Sequence, residues 1–328
     1  MDAFSAVNAD KWSRLQALAA KGRLTGPEAD ELLALYQAAS GHLSLIRSVA
    51  PESALSASLS ATLAQARTRF TGARSNVTAD LARFFVVALP AALYRLTWLT
   101  LACGTAFVLV AAAYAAWLGT SPEALRAVAS EAQAAQYVDE DFINYYSENP
   151  AASFAGAVWT NNAWISAQAV ALGITGVWVP MILFNNAQGV GVAAGIFAAA
   201  GKPDVFFSYI LPHGLMELTA VFVASAAGLR IFWAMVSPGP RTRSRAVAAE
   251  GRALVTVALG LVLVLFVSGL VEGFVTPSPL PAWLRIGIGA SVLAAYWTYV
   301  LVCGRRAFLA GERGDLRRED SGYTEIAA

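Results

Sequence analysis

Residues 253–275 read ALVTVALGLVLVLFVSGLVEGFV, and this stretch decides the class of fold. Its only charged residue is Glu272, close to its end. At about 1.5 Å per residue, a helix of this length crosses the ~30 Å hydrocarbon core of a bilayer. The stretch therefore predicts a transmembrane helix.

Five other apolar stretches predict further spans, at 97–118, 160–184, 187–201, 207–236 and 283–303. The whole chain of 328 residues is 57% hydrophobic and only 14% charged, whereas soluble proteins carry roughly 25% charged residues. The fold class that we predict is all-α, a polytopic transmembrane helical bundle of about six spans. The third span is short, so both a full crossing and a re-entrant segment stay open. We expect the hairpin before it at Asn185, Asn186 and Gly189.

The charge pattern and helix signals divide the chain further. Thr25 and Glu28 have the spacing of a capping box, and leucines recur after them at helical intervals. The predicted regions are a cytoplasmic helical domain (1–78), an interfacial helix (79–96), the bundle with an extracytoplasmic loop (97–303, loop 119–153) and a cytoplasmic tail (304–328). No signal peptide is expected, because the first residues contain no apolar region.

Orientation follows from the lysines and arginines, which favour cytoplasmic segments. Ten precede the first span, four lie in 237–252 and five lie in the tail. The loop 119–153 has only Arg126 against six acidic residues. Six crossings with both termini in the cytoplasm satisfy this pattern, so we expect a multi-pass protein of the cell (inner) membrane.

Polar groups inside spans are costly and usually face the bundle interior or a cavity. The predicted topology gathers one such group near the non-cytoplasmic ends of the helices: Asn161, Asn162, His213, Glu217, Glu272 and Arg285. The reading that we favour is that these groups pair to hold the bundle together. A polar cavity open to the outer leaflet is the second reading, and direct catalysis is the third.

Metal chemistry has one candidate site, formed by His213, Glu217 and Glu272. A catalytic zinc often takes several histidines, and the chain has only two, so we expect neither a metal nor another cofactor. The sequence contains no H-E-x-x-H, G-x-S-x-G, phosphate-loop or dinucleotide motif. The sequence thus favours a protein that is not an enzyme. A net charge of +1 argues against a nucleic-acid partner.

Several segments together resemble the stage II sporulation protein M family over about residues 80–303. The most recognisable is Leu211-Pro212-His213-Gly214-Leu215-Met216-Glu217, followed by Ala227-Gly228-Leu229-Arg230. Supporting segments are Asn161-Asn162, Gly173 with Gly176, Asn185 with Gly189, and Glu272-Gly273-Phe274-Val275-Thr276-Pro277.

The resemblance implies a multispanning membrane protein without known catalysis of its own. The namesake joins two cell-wall-degrading proteins in a complex that drives engulfment in spore formers. Relatives elsewhere are often encoded beside a MoxR-type AAA+ ATPase, a von Willebrand A-like protein and other membrane proteins. The longer N-terminal domain and the arginine-rich tail favour this non-sporulating branch.

Three hypotheses of function follow. The first is an integral membrane scaffold of an envelope-associated complex, with membrane lipid and other membrane or envelope proteins as its partners. The second is a transporter or lipid-handling protein that uses Glu217 and Glu272, and the third is an intramembrane, metal-dependent hydrolase. Small residues recur along one face of several spans, and such faces pack either within one chain or between copies, so a homo-oligomer stays open.

Overall fold

The computed structural model describes residues 2–22, 24–50, 53–70, 77–146 and 151–314. Within these ranges all regular structure is helical, in agreement with the predicted fold class. The chain divides into two units, Met1–Val77 and Thr78–Ala328. The last part of the predicted tail lies outside the described residues.

The first unit consists of three helices, α1 (Asp2–Ala20), α2 (Gly26–Val49) and α3 (Ala54–Phe70). The predicted capping box starts α2: the backbone N–H of Thr25 donates to the Glu28 carboxylate at 2.9 Å. The apolar stripes of the three helices meet in a core of their own. Its buried members are Leu15, Leu18, Ala19, Leu32, Ala39, Ile46, Leu59, Leu63 and Ala66.

The second unit contains eleven α-helices among its described residues. They are α4 (Val77–Arg83), α5 (Leu89–Thr120), α6 (Pro122–Val128), α7 (Glu131–Gln136), α8 (Phe142–Tyr145), α9 (Ala151–Ala171), α10 (Trp178–Ala199), α11 (Pro203–Val236), α12 (Arg243–Leu270), α13 (Ala282–Thr298) and α14 (Arg305–Leu309). Four segments with π-helical geometry extend or join these helices: Phe84–Ala88, Tyr137–Asp141, Val271–Val275 and Tyr299–Gly304.

Five helical runs of the described residues are long and apolar enough to cross a membrane: Thr78–Thr120, Trp178–Ala199, Pro203–Val236, Arg243–Val275 and Ala282–Leu309. They show a polytopic membrane protein. The 21-residue α9 packs against α11 and α12 and would supply the sixth crossing. The count of six stays a prediction.

The predicted hairpin at Asn185, Asn186 and Gly189 is wrong, because all three residues lie inside α10. The chain breaks earlier, after Ala171, through a short 3₁₀ turn at Gly173–Thr175. Gly176 follows this turn with a φ of 71°, a left-handed conformation that glycine adopts without strain. The residues on both sides of this turn are apolar, so the sequence predicted a continuous span and not a break.

Two other predicted boundaries also change. Residues 79–96 are not a separate interfacial helix, since one helical run continues from Thr78 to Thr120. The predicted loop 119–153 is largely structured, with α6, α7 and α8 inside it. Its aromatic side chains share a core with Phe197 and Phe206, which lie near the end of α10 and the start of α11.

Small residues allow the spans to approach closely within the chain. Gly228 of α11 lies directly against Gly173, and Gly195 of α10 lies against Leu118 of α5. Ala224, one turn before Gly228, is fully buried. These contacts use the small-residue faces that the sequence displays.

Candidate functional site

The motif Leu211–Glu217 lies inside α11, where His213 and Glu217 share one helix face because they are four residues apart. That face points into the bundle: His213 is 4% exposed and Glu217 is 8% exposed. Because α11 begins at Pro203, Glu217 lies about 21 Å along the helix, deeper than the predicted span suggested.

Glu272 comes from the π-helical segment that follows α12. In this wider turn the backbone N–H of Thr276 donates to the carbonyl of Val271, five residues earlier, at 3.1 Å. The segment packs against α9 and α11, and Glu272 and Thr276 are both buried. The local π geometry therefore presents a carboxylate and a hydroxyl to α11.

The three side chains of the predicted metal candidate come together. One ligand atom from each of His213, Glu217 and Glu272 lies within 4.8 Å of the others. Nε2 of His213 is 3.6 Å from Oε1 of Glu272. The Glu217 carboxylate interacts with the Asn162 side chain of α9 as well as with Glu272. Helices α9 and α11 and the π-helical segment after α12 thus contribute to one polar cluster, formed by His213, Glu217, Glu272 and Asn162.

Two atoms of this polar cluster stay without a partner. Oε1 of Glu217 and Oε2 of Glu272 are buried and have no hydrogen bond among the described residues. A buried carboxylate oxygen without a donor is costly, because it has lost its water and gained nothing in return. The cluster therefore has spare acceptor capacity.

Thr276 sets the orientation of the histidine ring. Its hydroxyl donates to the carbonyl of Val271 at 3.5 Å, and Nδ1 of His213 lies 3.1 Å from the same hydroxyl oxygen. When the hydroxyl hydrogen is directed at Val271, Nδ1–H is the donor toward Thr276. In this tautomer Nε2 carries a lone pair, and it faces Glu272.

Two backbone contacts fix the frame around the polar cluster. The Ser268 hydroxyl of α12 donates to the backbone carbonyl of His213 at 3.1 Å. Arg285 of α13 donates through Nη1 to the backbone carbonyl of Thr276. The helices are thereby held in register at the level of the cluster.

Aromatic side chains lie over one side of the polar cluster. The ring of Tyr146 is 5.8 Å from the His213 ring and 5.3 Å from that of Tyr209. Burial, with a smaller contribution from the negative charges of Glu272 and Glu217, raises the pKa of the Tyr145 and Tyr146 phenols. Both phenols are therefore neutral near pH 7, and they add no charge to the cluster.

The remaining predicted site residues do not join the polar cluster. Arg285 forms no ion pair with either glutamate in the described part of the chain, and its guanidinium lies 5.1 Å from the centre of the Tyr209 ring. Asn161 is exposed, while its neighbour Asn162 joins the polar cluster. The side chain of Asn186 donates to the carbonyl of Ile182 within α10.

Sequence reasoning missed three residues of the site. Thr276, Ser268 and Tyr146 carry no charge, and their role depends on contacts with His213. The spacing of Glu272 and Thr276 was the one available signal, because residues four apart on a helix share a face.

A second buried polar group lies away from this polar cluster. Arg95 of α5 donates to both oxygens of Glu250 in α12, at 2.7 and 3.0 Å. Arg230 of α11 lies 3.5 Å from the same carboxylate. The carboxylate of this group is paired with two arginines, unlike the carboxylates of the cluster around His213.

Comparison with known families gives two matches. A family model described as "Stage II sporulation protein M" matches residues 99–277, which is more than half of the chain. A second, described as "Domain of unknown function (DUF8413)", matches residues 2–72. No curated protein and no solved structure gives a significant match.

Proposed function

The chain belongs to the stage II sporulation protein M family, and from this premise we propose that it is an integral membrane scaffold of an envelope-associated complex. It resides in the cell (inner) membrane with both termini in the cytoplasm. The first unit captures partner proteins, and the second unit anchors them to the bilayer.

The observation that carries this proposal is the modular architecture. The first unit has its own core of three helices and its own family match over residues 2–72. The second unit is a bundle of long apolar helices. A separately packed helical unit attached to a membrane bundle suits the capture of proteins at a membrane surface.

The first unit also offers an apolar helix face. Five exposed and uncharged residues of α2 lie within an arc of about 80°, at about 100° per residue. They form what we call the α2 stripe: Ala34, Ala38, Gly41, Leu45 and Val49. Leu45 is 54% exposed and Val49 is 66% exposed. The small residues would let a partner helix approach closely along the stripe.

The partner class comes from the family. We propose that the first unit binds a cytoplasmic AAA+ ATPase of the MoxR type, and that the bundle binds other membrane or envelope proteins. The acidic residues of segment 121–146 would face the envelope, because lysine and arginine are nearly absent there.

The experiment is photo-crosslinking in the native membrane. A crosslinker at Val49 of the full-length chain should trap the MoxR-type ATPase of the same cell. Leu45→Glu places a charge in the α2 stripe and should reduce the trapped product at least tenfold. Leu33→Glu is the matched control, because Leu33 is also exposed on α2 but lies about 120° away from Leu45.

Equal trapping in both variants would remove the α2 stripe from the proposal. Failure of the wild-type chain to trap the ATPase would contradict that partner. Folding of each variant is checked by elution of the detergent-solubilised chain as a single species.

A second candidate function, lipid handling, is supported by a groove on the bundle. Its volume is about 390 Å³, and side chains of α5, α11 and α13 line it, among them Thr105, Thr219 and Trp297. Thr219 lies about 3 Å further along α11 than Glu217 and on the opposite helix face, so an acyl chain in the groove would lie at the level of the polar cluster with α11 between them.

Glutamine variants separate the two candidates. With Glu217→Gln or Glu272→Gln, a scaffold keeps its trapped ATPase. A lipid-handling protein with either change loses transfer of a fluorescent phospholipid between the leaflets of reconstituted vesicles. If phospholipid transfer is no faster in vesicles that contain the wild-type chain than in empty vesicles, the second candidate is eliminated.

A further inference from the structure

The polar cluster contains the ligands of an ion and has no cation of its own. Glu217 and Glu272 are buried on two helices, and each has one oxygen without a partner. The charge of two ionised carboxylates in a membrane bundle requires compensation. Among the described residues, no lysine or arginine forms an ion pair with either carboxylate.

We propose that His213, Glu217 and Glu272 bind one divalent transition-metal ion, which joins α11 to α12. The imidazole supplies Nε2, and each carboxylate supplies an oxygen. Two negative charges and one divalent cation then sum to zero around a neutral histidine. The proposal concerns ion binding and is independent of the scaffold function.

The distances suit such an ion. Metal–nitrogen and metal–oxygen bonds of about 2.0–2.2 Å at a tetrahedral angle separate two ligand atoms by about 3.4 Å. Nε2 of His213 and Oε1 of Glu272 are 3.6 Å apart, which is too far for a good hydrogen bond. All three ligand atoms lie within 4.8 Å of one another, so side-chain adjustments of up to about 1.4 Å bring them to the tetrahedral separation.

The histidine is already oriented as a ligand. Metal-binding histidines usually donate their second ring N–H to a nearby acceptor, which fixes the tautomer. Here Nδ1 lies 3.1 Å from the Thr276 hydroxyl oxygen, and the tautomer in which Nδ1–H donates to that oxygen leaves the lone pair of Nε2 facing Glu272. Without a cation or a proton between them, this lone pair and the carboxylate repel each other.

The donor set defines the class of metal. One imidazole nitrogen with two carboxylate oxygens suits Zn²⁺, Mn²⁺ or Fe²⁺. Calcium and magnesium prefer all-oxygen sites, and copper(I) prefers sulfur. Neither cysteine belongs to the triad. Asn162, which interacts with the Glu217 carboxylate, would orient that ligand from α9.

The test measures metal content of the full-length chain. The protein is produced in medium supplemented with zinc, manganese and iron salts, purified in detergent and analysed by elemental mass spectrometry. A second sample is stripped with a chelator and reloaded with ZnCl₂ or MnCl₂. The wild-type chain should carry about one ion per chain, and loading should raise its melting temperature.

Three variants locate the ion: His213→Gln, Glu217→Gln and Glu272→Gln. Each should carry less than about a fifth of the wild-type metal, because each loses one of three ligands. His42→Gln is the matched control, since His42 is the only other histidine and its Nδ1 accepts from Trp12 in the first unit. This control should keep its metal.

Two results would overturn the site. One is a wild-type chain that carries almost no transition metal either as isolated or after loading, in which case protons alone compensate the carboxylates. The other is full metal content in the three variants, which would place the ion elsewhere. If a glutamine variant does not fold, the wild-type metal content and its thermal shift still decide the question.

Discussion

Gly289 of α13 faces Pro212 of α11 so closely that a Cβ on Gly289 would overlap the Pro212 carbonyl oxygen. Pro212 immediately precedes His213, so this backbone crossing fixes α11 where it presents the polar cluster. Two residues earlier on α13, Gly287 has nothing within 4 Å of the position that its Cβ would occupy. The two glycines therefore form a matched pair for experiment.

Gly289→Ala should destabilise the bundle by about 2 kcal/mol or more, because the helices must separate to admit one methyl group. Gly287→Ala should leave the melting temperature unchanged or raise it slightly, since alanine favours a helix. Thermal unfolding of both variants in the same detergent measures the difference. Equal melting temperatures would show that the crossing is looser than the structure indicates.

The apolar spans and the meeting of His213, Glu217 and Glu272 were predictable from the sequence for a simple reason. Long uncharged stretches need lipid, and the topology then places those three residues at a similar level of the bundle, although Glu217 lies deeper along α11 than the sequence suggested. The capping box at Thr25 and Glu28 was also predictable, because it depends on local spacing alone.

Other features were not predictable, because they depend on contacts between distant segments. The break at Gly173–Gly176 lies in a continuous apolar stretch. Composition alone therefore predicted one span, 160–184, that continues through the break. The π-helical turn at Val271–Val275 has no sequence signature, yet it brings Thr276 to His213. The pairing of Arg95 with Glu250 joins residues that are far apart in the chain.

The stability of the N-terminal end of α2 should depend on pH within a defined range. The hydrogen bond from Lys21 first, and then that from the Thr25 backbone, lowers the pKa of Glu28 from its ordinary value of 4.5 to about 2. Because the folded pKa is the lower one, the ionised cap stabilises α2 fully above pH 4.5. This contribution is lost as the pH falls from 4.5 to about 2.

The measurement is a titration of the Glu28 side-chain carboxyl carbon by NMR in the ¹³C-glutamate-labelled chain. Lys21→Gln should move the midpoint upward, since the Lys21 hydrogen bond is the largest cause of the shift. Glu28→Gln identifies the resonance by its disappearance. A midpoint near 4.5 in the wild-type chain would exclude the cap and the ion pair in solution.

The proposed orientation predicts which positions react with a membrane-impermeant maleimide. In a chain whose Cys103 and Cys303 are replaced by alanine, Ala132→Cys should be labelled in intact spheroplasts. Ser58→Cys should be labelled only after lysis. Both positions are exposed, so access to the protein surface does not limit either reaction. The reverse pattern would place the first unit outside the cell and contradict capture of a cytoplasmic ATPase.

The Arg95–Glu250 pair should contribute far more to stability than the surface pair Arg14–Glu31. The side chains of Arg95 and Glu250 are only 10% and 6% exposed, whereas those of Arg14 and Glu31 are 50% and 40% exposed. Arg95→Met leaves the Glu250 carboxylate buried with only Arg230, and should cost about 3 kcal/mol. Arg14→Met should produce no measurable shift, because water already screens that pair.

Thermal unfolding of the two single variants measures the difference in stability. The double variant Arg95→Met with Glu250→Leu identifies the cause of the loss in Arg95→Met. If the loss arises from an uncompensated buried carboxylate, removal of that carboxylate restores most of the melting temperature. If the loss arises from the packing of the Arg95 side chain, the double variant stays as unstable as Arg95→Met. The second outcome would mean that charge compensation is not what holds α5 to α12 at this level, and it would weaken the same argument where it is applied to Glu217 and Glu272.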